Sequence, residues 1–380
     1  MSHASPQDEP AEPRSGDFSP HSVRLAWILT VAYLLVIAYA SLQPFRDWRA
    51  PPEEVLRFMF SAWPRYITLQ DVAINVAAYL PLGFLFSISC GARFGPARGA
   101  LAATLAAAVV SLAMETAQMF LPARISSNVD LLANTVGALL GAMAAPLFAP
   151  TRILGGKLHA ARHHLFHDGM KADAGLVIVT LWLISQFHPT VQPFGTGGIR
   201  ATFDLPAHLA HTPSLALGGE AVVVLLSLMG VGLMVCALMR DAARPLPVIA
   251  TLIAAVLLIK IFTAVVFGLA SAPLAWLTPG VMLGLLVGSA VLYGAARLPR
   301  LAQLVIAAGC IAAATAAINL APVNPYHSVP PSLLLARGTS HFLSFSSIVR
   351  ALSELWPLLA IGYLAWVLGA RAAGRTRDPI

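Results

Sequence analysis

Acids, amides and one guanidinium crowd a short part of this chain: Glu115, Gln118, Arg124, Asp130 and Asn134. An earlier segment adds Asp71 and Asn75. Asp71 with Asn75 and Asp130 with Asn134 are i,i+4 pairs, and Glu115 with Gln118 is an i,i+3 pair, so each pair shares one face of a helix. Carboxylates can take or give a proton, and with carboxamides they accept hydrogen bonds from hydroxyl or amine groups. A guanidinium can clamp a neighbouring carboxylate or offer its fork to a phosphate. Two readings stay open: a polar lock inside the fold with Arg124 as counter-ion, or a site for a polar or anionic headgroup. No nucleophile with its base, no metal triad and no phosphate-cradling glycine loop accompanies the acids. Enzyme activity is therefore not the leading expectation, and no cofactor or metal is expected.

These residues lie between strongly apolar runs. The chain of 380 residues is 58% hydrophobic and only 11% charged, against roughly 25% charged in a soluble domain. That excludes an ordinary soluble globular protein and predicts an all-α polytopic transmembrane bundle. About ten spans are expected, near 24–42, 71–90, 98–121, 129–149, 174–189, 219–239, 247–270, 275–296, 301–321 and 351–370. The division is a polar cytoplasmic tail over 1–22, a four-helix domain over 23–150, a basic His-rich loop over 151–173 and six further spans over 174–380. Arg24 with Ala38-Tyr39-Ala40 also fits a signal peptide, but the tail before it is acid-rich, which favours a retained helix. Cys90, Cys236 and Cys310 have no CxxC spacing and read as small buried residues.

Basic residues set the orientation. Of the 24 Lys and Arg, fifteen fall in the tail and even-numbered loops and eight in the odd loops, with Lys260 inside a span. Both termini are thus expected in the cytoplasm, the membrane being the bacterial cytoplasmic one. The excess of base sets topology and does not indicate nucleic acid. The first odd loop, with Arg46, Arg49, Arg57 and Arg65, runs against the rule. Short surface helices are expected in the long outer loops 43–70, 190–218 and 322–350, with Val55–Trp63 a candidate. In this orientation Glu115 sits roughly 9 Å below the outer end of its helix, at a depth similar to Asn75 and Asn134. Asp71 and Asp130 lie above that layer. Gly137 and Gly141 continue the Asp130–Asn134 stripe as a GxxxG for close backbone approach.

The residues Tyr39-Ala-Ser-Leu-Gln-Pro44-Phe45, Asp71 with Asn75-Val-Ala-Ala-Tyr-Leu-Pro81-Leu-Gly83-Phe, Glu115-x-x-Gln118 and Pro122-x-Arg124-x-x-Ser127-x-x-Asp130-x-x-x-Asn134-x-x-Gly137-x-x-x-Gly141 resemble the VanZ-like family of bacterial membrane proteins. The resemblance covers the first four spans. Its founding member is associated with resistance to the glycopeptide teicoplanin, so the resemblance implies a place in the cell envelope. With the spacing argument it marks Asp71, Asn75, Glu115, Gln118, Arg124, Ser127, Asp130 and Asn134 as the candidate binding set. The expected partners are membrane lipids and a lipid-linked cell-wall or glycan precursor. A transporter, with Glu115 and Lys260 on one coupled path, and a structural partner in an envelope assembly are the alternatives.

Outside this set, Lys260 lies mid-span and is expected to face the bundle, pairing with an acid such as Glu220 or Glu354 or held neutral. His159, His163 and His167 stand at i,i+4 spacing, which suits a metal, but a basic interfacial helix with Arg152, Lys157 and Arg162 is the preferred reading. His188, His208, His211, His327, Arg337, His341, Arg350 and Glu354 are expected at the outer side of the second half.

Overall fold

The computed structural model describes residues 20–42, 45, 47–51, 54–63, 69–122, 124–149, 152–187, 192–200, 212–241, 245–266, 274–321 and 340–373. Among these the chain is all-helical, with no strand. The helices are α1 (Pro20–Leu42), α2 (Leu69–Phe94), α3 (Pro96–Gln118), α4 (Asn128–Ala144), α5 (Ile153–Leu165), α6 (Met170–Ser185), α7 (Pro213–Leu238), α8 (Pro245–Val266), α9 (Pro279–Ala295), α10 (Arg300–Leu320) and α11 (Ser340–Ala372). Seven are long and apolar enough to cross a membrane, and Ala26–Leu42 and Pro279–Ala295 are shorter apolar segments. All ten expected spans coincide with a helix, α6 being the shortest at 16 residues.

Contacts divide the chain into two units, 1–161 and 162–380. In the first, α2, α3 and α4 pack mutually and α1 lies against α2 and α3. Three glycines let α2 and α4 meet backbone to backbone. A Cβ on Gly141 would stand 1.9 Å from the Leu80 carbonyl oxygen, one on Gly137 2.2 Å from that of Val76, and one on Gly83 1.9 Å from that of Ala138. The GxxxG stripe therefore receives α2, and α2 returns a glycine of its own.

In the second unit α7 is the central helix, packed against α6, α8, α9 and α10, and nearly every residue from Val223 to Leu238 is buried. Its start comes six residues before the expected 219 because Thr212 caps it, accepting from the Leu215 N–H at 3.4 Å, and Pro213 follows at the first helical position. Thr278 and Pro279 start α9 in the same way.

Two expectations about loops need correction. Val55–Trp63 forms only a single 3-10 turn, Arg57–Phe60, because Leu56 takes a left-handed conformation (φ 74°) that a longer helix cannot include. The described part of the second long loop, 192–200, is no surface helix. It folds into its unit, with Phe194 buried against Trp182 and its N–H held by Gln186 Oε1 at 2.9 Å. The tail before residue 20 and the third loop over 322–339 lie outside the described residues.

Candidate functional site

All eight candidate residues converge at one end of the α1–α4 unit, where α3 turns into α4. Seven are buried, and Arg124 is half-buried. Asn75 on α2 donates from Nδ2 to Asp130 Oδ1 on α4 at 2.9 Å. Asp71, one turn before Asn75, is within electrostatic reach of Asp130, as Asp130 is of Glu115. Deeper in the layer Asn134 Nδ2 donates to Ser111 Oγ on α3 at 2.9 Å.

The α3–α4 turn is built around Glu115. Its Oε2 accepts from the Ser127 backbone N–H at 3.0 Å, and its carbonyl accepts from Ser126 Oγ at 2.6 Å. Ser127 itself caps α4, accepting from the Val129 N–H at 3.2 Å. Glu115 and Asp130 thus both stand at the positive end of the α4 dipole, where a negative charge is favoured.

Gln118 and Arg124 serve a different helix end. Gln118 Nε2 donates to the Ser41 carbonyl at 3.1 Å and Arg124 Nη2 to the Ala40 carbonyl at 2.9 Å. These are among the last carbonyls of α1, which have no partner within their own helix. The guanidinium of Arg124 stays in electrostatic reach of Glu115, while burial pulls it below its ordinary value. The layer is enclosed, with Glu115 and Asp130 each only 4% exposed. Among the described residues Asp71, Glu115, Asp130 and Arg124 are the charged groups gathered there, and Asn134 Oδ1 accepts no hydrogen bond.

The sequence reading missed Ser111. It sits one turn from Glu115 on the same face of α3, and that i,i+4 spacing was the available signal.

Other candidates fall out differently. Among the described residues no cluster of three or more His, Cys, Asp and Glu has metal-holding geometry. The histidine stripe is broken because α5 ends at Leu165. His163 pairs with Asp168, and His167 is buried with its N–H on the Leu238 carbonyl at 3.0 Å. Asp168 also meets Arg162 and Arg240. Lys260 is buried in α8, Glu220 accepts from Thr278 Oγ1 at 2.6 Å, and Glu354 pairs with Arg350 at 2.9 Å. His188, His208, His211, His327 and Arg337, and the His341 side chain, lie outside the described residues.

Apolar helices long enough to span a bilayer, closed at one end over a buried polar layer, define a polytopic membrane protein. Residues 19–149 match the VanZ/LLP1 family model. The match covers about a third of the chain, so its first unit is similar to the VanZ/LLP1 family, and a second helical unit lies beyond it. No curated protein and no solved structure matches it.

Proposed function

We propose that this is a bacterial cytoplasmic-membrane protein of the cell envelope, with both termini in the cytoplasm. Its VanZ-like domain engages the headgroup of a lipid-linked cell-wall or glycan precursor at the exterior end of α1–α4. The observation that carries this reading is the gathering of Asp71, Glu115 and Asp130 with Asn75, Gln118 and Asn134 in one buried layer at one end of α1–α4. A layer rich in carboxylate and carboxamide oxygens suits a partner rich in donors, such as sugar hydroxyls or an amine. Asn134 Oδ1, buried and accepting nothing, is one ready acceptor. Residues 124–127 are non-helical and lead into α4 beside this layer, with Ile125 73% exposed, and access runs through their movement.

Glu115→Gln and Asp130→Asn keep shape and hydrogen-bonding capacity while removing charge. Each is expected to fold normally, to fail to restore envelope phenotypes of a deletion strain, teicoplanin susceptibility among them, and to lose a sugar-bearing lipid retained by the wild type in native mass spectrometry. Full complementation by both folded variants would overturn the proposal.

A further inference from the structure

The inner floor of the polar layer is made by Tyr79 of α2, Ser111 of α3 and Asn134 of α4. Tyr79 is 4% exposed, Asn134 5% and Ser111 fully buried. Tyr79 continues the Asp71–Asn75 face by one more i,i+4 step, and Ser111 and Asn134 each stand one turn below Glu115 and Asp130. Val76 and Leu80, on either side of Tyr79 in sequence, are where the α2 backbone meets Gly137 and Gly141 of α4. Tyr79 is therefore carried on the most closely packed part of α2.

The hydrogen bonds of this floor are only half made. Asn134 Nδ2 donates to Ser111 Oγ at 2.9 Å, which fixes the amide and turns Oδ1 away from Ser111. Oδ1 then has no partner among the described residues. Tyr79 Oη approaches Ser111 and Glu115, yet it too is without a hydrogen bond there. Tyr33 of α1 shows the ordinary outcome, its Oη donating to the Ala78 carbonyl at 2.8 Å. Buried polar groups without partners are rare and costly, and here a donor and an acceptor share one floor.

The chemistry of the pair selects what fits between them. The amide oxygen only accepts, and the Tyr79 proton needs an acceptor. A hydroxyl answers both, because it donates once and accepts twice. An ammonium has no lone pair for the tyrosine proton, and an ionised phosphate or carboxylate has no proton for the amide oxygen. We propose that Tyr79 and Asn134 are a specificity-determining pair for one sugar hydroxyl, which accepts from Tyr79 Oη and donates to Asn134 Oδ1. This rests on the reading of the layer as a headgroup site and extends that site one turn deeper than Glu115, about 5.4 Å, a span that two hydroxyls of one hexose can bridge.

The test is native mass spectrometry of the full chain from mixed micelles holding equal amounts of a polyprenyl-phosphate-linked glucose and its monodeoxy forms. The wild type is expected to retain the parent and to discriminate against one deoxy form by about tenfold or more. Tyr79→Phe is expected to weaken retention of the parent about tenfold and to hold the parent and that deoxy form alike. Its melting midpoint without lipid is expected to stay or rise, since the change removes an unpaired buried group. Tyr33→Phe breaks a bond already made, and is expected to lower the midpoint while keeping the preference. Equal retention of all forms by the wild type, or an unchanged preference in Tyr79→Phe, means that the floor holds a water only and overturns the proposal. If Glu115→Gln loses the parent while Tyr79→Phe keeps it with its preference, this pair is wrong and the headgroup reading stands. If the wild type retains no sugar-bearing lipid, both are overturned.

Discussion

Asn75 holds Asp130 across two helices, and its replacement by leucine keeps the volume while removing the donor. Interhelical hydrogen bonds in membranes are worth about 0.6 kcal/mol on average and up to about 1.7 kcal/mol. Asn75→Leu is expected at the upper end, because the carboxylate it leaves stays buried; thermal unfolding in detergent measures it. The i,i+4 spacings made the shared faces of Asp71/Asn75 and Asp130/Asn134 readable from sequence. The partners were not readable, because Arg124 and Gln118 bond to α1 carbonyls far away in sequence, at Ala40 and Ser41. A second residue-scale effect lies at the α5–α6 turn. Burial holds the His167 imidazole below its ordinary value, and Arg300 and Arg240 add to this. Desolvation opposes the shift at Asp168, but hydrogen bonding from His163 and the charges of Arg240, His163 and Arg162 leave its carboxyl below the usual range. A depressed imidazole means that the unfolded chain takes up the proton first. Its stabilising contribution is therefore complete above about pH 6.5 and falls as the pH drops toward the folded value. Asp168 loses its contribution only at lower pH, as its own carboxyl protonates. The melting midpoint is expected to fall between about pH 7.5 and about pH 5.5, and to fall less in His167→Gln.

Helix contacts in the first unit depend on backbone approach more than on side-chain bulk. The stripe Gly137–Gly141 announced a close contact, but only the structure shows that α2 fills it and that Gly83 reciprocates. Gly141→Ala would drive a methyl into the Leu80 carbonyl, so α2 and α4 must part along their length. Overpacking of this kind costs roughly 1–3 kcal/mol, and the polar layer is carried on the same two helices. Gly141→Ala is therefore expected to lower the midpoint and to weaken headgroup engagement together. Gly309, where nothing stands within 4 Å of an added Cβ, supplies the contrast, and its alanine variant is expected to leave the midpoint unchanged or raised. Span positions were legible because about 20 apolar residues are needed to cross a bilayer. Local conformation was less so. The left-handed Leu56 blocks the start of the helix expected from Val55, and the 192–200 segment, expected to carry a surface helix, packs inward with Phe194 buried.

At the scale of the molecule, orientation decides whether the polar layer faces the envelope or the cytoplasm. The basic residues argue for the envelope, and the layer's placement at the α3–α4 end means that one crossing tests it. Between Ile125 and Lys157 the chain passes once through α4 and its terminal 3-10 turn, Ala145–Phe148. The two positions therefore lie on opposite sides of the bilayer if α4 spans it. Both are exposed, whereas Ser127 and Ser185 are buried and would label poorly on either side. With Cys90, Cys236 and Cys310 replaced, Ile125→Cys is expected to react with a membrane-impermeant maleimide on intact spheroplasts. Lys157→Cys is expected to react only after permeabilisation. The opposite pattern would turn the acid layer toward the cytoplasm, where no cell-wall precursor presents its exported headgroup. The arginines of the α1–α2 loop would then follow the topology rule.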